Sequence, residues 1–255
     1  MSGYGTIIEN LKAMRFSAMA KEYEMQLSSP AYHTLGFEDR FSFLVDAEWN
    51  KRQANKLNRY IRNADFSNNN ASIEDIEYLE DRKLDKAQIL RFATWQYIED
   101  GRHIIIMGAS GSGKTYISCA LGIAACRKFK KVKYVRMPEL LDEVKVAISS
   151  GTLKKLIATY TKLDLLILDE WLLRSLTGDE AYHILEIVEA REHRSTIFCT
   201  QFDSKGWLAR INSSTDGESP LSDSVIDRII YNSYRVTIHG LKSMRERHEI
   251  NSDEM

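Results

Sequence analysis

The spacing of hydrophobic positions changes near residue 95 of the 255-residue chain. Before that point apolar residues recur every three to four positions, which predicts helices at roughly 6–28, 37–63 and 84–99. A polar, turn-rich stretch at 63–78 predicts a loop. Beyond residue 95, short apolar runs alternate with helical patterns. We expect the strands at about 103–107, 131–137, 163–169, 195–201 and 234–239.

This alternation predicts an α/β fold with a mainly parallel five-stranded sheet, covered by helices on both faces. A domain boundary near residue 95 follows, just before the first strand. We therefore expect a small all-α domain at 1–95 and an α/β domain at 96–255.

Composition adds mainly exclusions. The net charge is −1, so a surface for nucleic acid has to be local. No apolar run approaches the roughly 20 residues of a membrane helix, and the N-terminus lacks a signal-peptide layout. Cys119, Cys126 and Cys199 show no C-x-x-C spacing, and the first two, on one predicted helix, read as reduced core residues. We expect a cytoplasmic protein without a membrane partner.

A glycine-rich turn joins the first predicted strand to the helix that follows it. Its sequence, GASGSGKT, matches the phosphate-binding P-loop at every fixed position and in its flanking elements. Backbone N–H groups and the helix N-terminus attract phosphates, the lysine reaches the β- and γ-phosphates, and the threonine hydroxyl holds Mg²⁺. The predicted ATP-binding residues are Gly108, Ala109, Ser110, Gly111, Ser112, Gly113, Lys114 and Thr115.

An acidic pair ends the third predicted strand, LDLLILDE. Asp169 is placed to hold Mg²⁺ together with Thr115, and Glu170 to orient or deprotonate a water. Because kinases exclude that water, the pair indicates hydrolysis. A second acidic stretch, around Thr177 and Glu180, fits a capping box, so we interpret it as structural.

Three further residues, at two places in the chain, are candidates for contact with the γ-phosphate. Thr200 and Gln201 end the fourth strand, where a polar tip can hydrogen-bond the phosphate or the attacking water. Arg228 lies opposite the apolar face of a later helix. An arginine there can stabilise transition-state charge from a neighbouring subunit, although spacing alone favours a solvated side chain.

Basic residues concentrate in two places. KRQANKLNRYIR, at 51–62, lies in the predicted helix 37–63, labelled α3 below. It puts Arg52, Lys56, Arg59 and Arg62 along one helix face, hereafter the α3 stripe. Such a stripe can neutralise DNA phosphates, although a solvated face is the ordinary alternative. The second cluster lies before the second strand and comprises Arg127, Lys128, Lys130, Lys131 and Lys133. Neither shows a base-reading pattern, so we expect sequence-independent binding to duplex DNA.

Taken together, the segments GASGSGKT, LLILDE, STIFCTQ, SVIDRIIYNSYRV and KSMRER resemble the IstB helper ATPases of bacterial insertion sequences. These are AAA+ proteins related to DnaC-type helicase loaders, and the likeness extends through LGFEDRFSFLVDAEWNKRQANKLNRYIRNADF to nearly the whole chain. The resemblance implies that the first and third strands flank the fourth. It also implies that Arg228 is an arginine finger and Arg245 a candidate second sensor.

This chain departs from many of those relatives at one place, where Trp171-Leu172 follows the acidic pair and many have Phe-Gly. Little sequence follows Arg245, so we expect an ATPase domain without a full helical lid. The helical domain at 1–95 is expected to bind DNA or a partner. The hypothesis is an ATP- and Mg²⁺-dependent, DNA-binding AAA+ ATPase. It would assemble as a homo-oligomer with ATP between subunits and assist the transposase of the same insertion sequence. A replicative helicase loader is the main alternative; a small-molecule P-loop kinase and a nucleotide-gated scaffold are further ones.

Overall fold

The computed structural model describes residues 3–211, 220–240 and 242–248. In these ranges the helices are α1 Gly3–Ala13, α2 Ser17–Ser28, α3 Phe37–Ala64, α4 Lys86–Ala93, α5 Gln96–Glu99, α6 Lys114–Cys126, α7 Met137–Ser149, α8 Leu153–Thr161, α9 Gly178–Glu189, α10 Ser204–Ile211, α11 Pro220–Tyr231 and α12 Met244–Arg247. The strands are β1 His103–Gly108, β2 Val132–Arg136, β3 Leu165–Asp169, β4 Ser195–Thr200 and β5 Ser233–Ile238. Short 3₁₀ turns lie at Pro30–Thr34 and Glu80–Arg82.

The chain divides into two compact units, Met1–Arg59 and Tyr60–Met255. The division falls within α3. The domain boundary near residue 95 and the lack of a full lid remain predictions about domains.

The first unit contains α1, α2 and most of α3. Glu48 of α3 is only 7% exposed and accepts hydrogen bonds from Ala18 N–H at 3.0 Å and from Arg52 Nε at 2.8 Å. Burial opposes ionisation of Glu48, but these donors outweigh it and lower the pKa. The carboxylate thus joins the start of α2 to the middle of α3.

A parallel sheet of order β2-β3-β4-β1-β5 forms the centre of the second unit. It has the five strands predicted from the sequence, with β4 between β1 and β3 as the resemblance implied. The third strand, Leu165–Asp169, is buried at every position. Parallel strands all end at the same edge, so the P-loop after β1 and the acidic pair after β3 meet there.

Two predicted helices are each interrupted. The 6–28 segment is α1 followed by α2, and the 84–99 segment is α4 followed by α5. Arg15 (φ 63°) and Trp95 (φ 59°) adopt left-handed backbone conformations at these breaks. A left-handed residue stops the helical hydrogen-bond ladder, and neither is a glycine that would have signalled it.

Two other expectations, for the cysteines and for the capping box, are confirmed. The three cysteines are buried and free. Over the described ranges, no helix combines the length and apolar character needed to cross a membrane. Thr177 caps α9 by accepting from Glu180 N–H, and Glu180 accepts in return from Thr177 N–H, as a capping box requires. The Arg174 guanidinium lowers the pKa of Glu180 to about 2, so this acid is part of a structural ion pair.

Candidate active site

The P-loop runs from the end of β1 to the first turn of α6. A side chain at Gly108 would place Cβ 2.7 Å from Ser112 Oγ and 2.8 Å from the Ile238 carbonyl oxygen, so the close approach requires glycine. Gly113 has φ 92°, a conformation that only glycine adopts readily, and it immediately precedes the helix. The loop therefore delivers the chain to the N-terminus of a 13-residue helix, where unpaired N–H groups favour anions.

Lys114 lies within this loop. Its ammonium donates to the carbonyl oxygens of Gly108 at 2.8 Å and Ala109 at 2.7 Å, and the residue is 9% exposed. Burial lowers the pKa of Lys114, and nearby Cys199 and Asp169 oppose that effect. The positive charge is thus held against the first two residues of the loop, and in P-loop proteins this lysine reaches the phosphates.

Thr115 and Asp169 meet as the sequence predicted. Thr115 Oγ1 donates to Asp169 Oδ2 at 2.6 Å, and the same oxygen accepts from Tyr134 OH at 2.9 Å. Burial, aided by the Asp169 carboxylate, raises the pKa of Tyr134 well above its usual value, so the phenol acts as a donor. A hydroxyl and a carboxylate this close are hard oxygen ligands. They fit Mg²⁺, which takes few protein ligands and completes its octahedron with phosphate and water.

Glu170 is presented by an unusual backbone conformation, with φ 56°. Its N–H donates to Asp169 Oδ1 at 2.8 Å, which fixes the two acids relative to each other. Arg136 Nη2 lies 2.8 Å from both Glu170 carboxylate oxygens, so the side chain is turned toward the end of β2. The proposed water-activating group is therefore held in an ion pair.

Trp171 and Leu172, which depart from the family pattern, are core residues. Trp171 is 1% exposed and its ring centroid lies 4.8 Å from that of Phe198 and 5.8 Å from that of Trp207. The backbone N–H of Trp171 donates to the Cys199 carbonyl at 2.8 Å. Since Trp171 follows Glu170 directly, its packing against β4 and α10 anchors the turn that carries the acid.

The two polar residues at the end of β4 lie in different environments. Thr200 is 1% exposed; its hydroxyl donates to the Trp171 carbonyl at 3.2 Å and accepts from Phe202 N–H and Trp207 Nε1–H. That hydroxyl thus ties the end of β4 to its neighbours. Gln201 is exposed just beyond the strand. A contact with the γ-phosphate remains a prediction, and Gln201 is the better placed of the two.

The two candidate arginines lie near the C-terminal end of the second unit. Arg228 is exposed on α11, and its Nη1 lies 2.9 Å from Glu189 Oε1. Arg245 is exposed on α12, which adjoins the P-loop because Met244 N–H donates to the Gly111 carbonyl at 2.8 Å. The finger and second-sensor roles remain predictions.

The α3 stripe lies along one helix. Arg52 pairs with Glu48, and its guanidinium is 4.9 Å from the Phe16 ring centroid. Lys56 is half-buried, whereas Arg59 and Arg62 are exposed. DNA binding by the stripe remains a prediction.

The second basic cluster is engaged with its own unit. Three of its side chains form ion pairs and a fourth lies 4.5 Å from an aromatic ring centroid. The contacts are Arg127 with Glu74, Lys128 with Trp95, Lys130 with Glu99, and Lys133 with Asp65. Neighbouring carboxylates therefore offset part of this charge.

Sequence reasoning missed Tyr134 and Arg136. They lie two apart on β2, and the parallel register sets Arg136 beside Asp169. Alternation along β2 shows that both share a face, but only the pairing of β2 with β3 shows what that face meets. The strand order implied by the resemblance placed only the first, third and fourth strands, so it gave no signal for this contact.

A parallel sheet of this order, with a P-loop after β1 and an acidic pair after β3, defines an AAA+ P-loop ATPase. The family described as IstB-like ATP binding protein matches residues 9–252, and the chain belongs to it.

Curated relatives carry the same description. The chain is 33% identical over 198 residues to the IS1162 insertion-sequence protein of Pseudomonas fluorescens, which is named for ATP binding; the match covers 77% of this chain and 86% of that one. It is 31% identical over 234 residues to the insertion-sequence protein y4pL of Sinorhizobium fredii, which also bears that name, covering 91% and 93%.

The solved structure of the DnaC helicase loader shares the fold. Its TM-score is 0.54 at 22% identity, and the match covers 66% of this chain and 97% of that one. The chain is thus an IstB-like ATPase, as the sequence resemblance implied.

Proposed function

We propose that this ATPase binds duplex DNA and assists or regulates the transposase of its own insertion sequence. Membership of a family whose curated members are insertion-sequence proteins supports the transposition setting. The acidic pair Asp169 and Glu170 supports ATP hydrolysis, because a P-loop kinase excludes an acid that would activate water.

The P-loop and Lys114 bind the triphosphate. We propose that Thr115 and Asp169 hold Mg²⁺, whose positive charge would offset that of the phosphates. Asp169 is held ready for this by its hydrogen bonds from Thr115 and Tyr134. Once the Glu170 carboxylate has separated from Arg136, it orients the attacking water and accepts a proton from it. Gln201 contacts the γ-phosphate or that water.

Arg228 completes the site of a neighbouring subunit. Its exposure on α11 and its pairing with an exposed carboxylate, Glu189, leave it able to exchange partners at a subunit contact. ATP between subunits would then couple hydrolysis to a homo-oligomer, with Arg245 as a candidate second sensor.

DNA binding is assigned to the α3 stripe. Arginine and lysine along one helix neutralise backbone phosphates without reading bases. ATP would promote assembly on DNA, and hydrolysis would release or remodel the complex. We place this activity in the cytoplasm.

Turnover with and without duplex DNA, and capture of the cognate transposase, test the proposal together. DNA should stimulate hydrolysis, and the DNA-bound protein with ATP should retain the transposase. Lys114→Ala is the matched control, because it removes the positive charge that contacts the phosphates and leaves the α3 stripe intact. Unstimulated turnover together with no transposase capture would refute the assignment.

A helicase loader is the second candidate, favoured by the shared fold with the DnaC helicase loader. The two differ in partner rather than in chemistry. Offering the ATP-bound protein a replicative helicase and the transposase in competition separates them.

A further inference from the structure

Arg82 is a buried arginine beside the P-loop. It ends the 3₁₀ turn Glu80–Arg82 and is 4% exposed. Its guanidinium donates to the carbonyl oxygens of Glu77 and, at 2.9 Å, of Ser112, while its own carbonyl accepts from His239 N–H at 3.0 Å. Burial of a guanidinium is unfavourable, and burial lowers the pKa of Arg82. The hydrogen bonds of Arg82 therefore have to offset the free-energy cost of removing its guanidinium from water.

The contact with Ser112 controls a peptide group of the loop. In a trans peptide the C=O and the following N–H point in opposite directions. When Arg82 holds the Ser112 carbonyl, the Gly113 N–H is directed away from Arg82, toward the phosphate-binding side. A Cβ at Gly113 would lie 3.0 Å from Arg82 Nη2, so the glycine also leaves room for the guanidinium.

A second segment, from the C-terminal part of the unit, also contacts the P-loop and the turn that carries Arg82. Residues 242–248, the C-terminal segment, contribute Met244 N–H to the Gly111 carbonyl at 2.8 Å. Arg247 forms an ion pair with Asp81, next to Arg82 in the chain. The loop is therefore braced by chain that precedes β1 and chain that follows β5.

Unsatisfied polar atoms concentrate here. In the described part of the chain, six buried side-chain atoms have no hydrogen-bond partner within the protein, and four belong to the P-loop and the two segments that brace it: Tyr78 OH, Arg82 Nε, Ser112 Oγ and Arg247 Nε. Each such group costs free energy, so a purely structural brace would be expected to satisfy them. Their clustering beside a ligand loop is typical of a functional site.

We propose that Arg82 is a positioning residue for ATP binding. It orients the Ser112–Gly113 peptide toward the phosphates, and the Arg247–Asp81 pair couples this orientation to the C-terminal segment. Arg82 acts through the loop backbone and does not touch the nucleotide. The affinity of the site for ATP thereby depends on whether the C-terminal segment keeps its contacts with the P-loop and with Asp81.

The test compares three variants by KM and kcat for ATP and by binding of the analogue AMPPCP with Mg²⁺. Arg82→Met should weaken binding about 10- to 100-fold, as expected for a lost hydrogen bond from a charged group, with kcat at saturating ATP little changed. Arg82→Lys should recover part of the affinity, because it keeps the charge but lacks the planar fork. Arg247→Gln should raise KM by a smaller factor.

Arg102→Met is the matched control, since it removes the same charge from an exposed arginine of the same unit, bonded to Asn232 Oδ1 at 2.8 Å. Its KM should be unchanged. The midpoint of thermal unfolding, measured without nucleotide, shows whether a variant has lost stability rather than loop positioning. If Arg82→Met does not fold, Arg82→Lys and Arg247→Gln test the proposal. Unchanged KM in those two, or affinity losses that merely follow the fall in thermal midpoint, would overturn the proposal.

Discussion

Releasing Glu170 from Arg136 should raise basal ATP turnover. The pair joins Arg136 Nη2 to both carboxylate oxygens at 2.8 Å, with the two side chains 46% and 30% exposed. At that exposure solvent screens the attraction, and an ion pair contributes about 0.2–1 kcal/mol rather than the larger value of a buried one. With tenfold per 1.4 kcal/mol, the released carboxylate should become about 1.5- to 5-fold more populated in Arg136→Ala.

Steady-state hydrolysis at saturating ATP, without DNA, measures this effect. Turnover should rise by that factor while KM stays constant, because Arg136 contacts the acid and not the P-loop. Arg136→Lys should be intermediate, since an ammonium cannot reproduce the two-oxygen contact. Glu139→Gln is the control: Glu139 Oε1 lies 3.5 Å from Arg136 Nη1, and its loss leaves the Glu170 pair in place. A fall in turnover for Arg136→Ala would mean that Arg136 orients Glu170 for catalysis, and the restraint reasoning would be wrong.

Other predictions concern the same site and the DNA surface. Glu170→Gln should keep ATP binding and assembly but stop turnover and hold the protein on DNA; normal phosphate release would reassign the role of water activation. Alanine at all four positions of the α3 stripe should weaken binding to any duplex and make its salt dependence shallower, since each phosphate contact releases about 0.9 counterions; fluorescence anisotropy at several salt concentrations measures both. Arg228→Ala should lose turnover by about 10³-fold or more if the arginine acts as a finger. When Arg228→Ala and Lys114→Ala subunits are mixed on DNA with Mg²⁺, ATP turnover should partly recover, because an intact pocket then meets an intact arginine. Co-assembled mixtures whose turnover does not exceed the sum of the two variants would exclude action in trans.

The chain's local pattern was sufficient for the nucleotide-binding part of the site. A P-loop is encoded by consecutive residues, so Gly108 to Thr115 could be read directly together with the strand and helix around them. Asp169 followed from the end of a buried apolar run, because parallel strands end at one edge of their sheet. The strand order came from the family resemblance.

Tertiary structure decided which side chains surround those residues. Arg136 meets Glu170 and Tyr134 meets Asp169 only because β2 pairs with β3 in a particular register, and a strand's own sequence does not state its register with a neighbour. Thr200 shows the same dependence, since its position at a strand end predicted contact with the phosphate or the water, and only the packing shows that its hydroxyl donates to the Trp171 carbonyl. Arg82 had no local signal at all. Its contact with Ser112 spans 30 residues and depends on how the turn before β1 packs against the loop after it, which is long-range packing that periodicity cannot report.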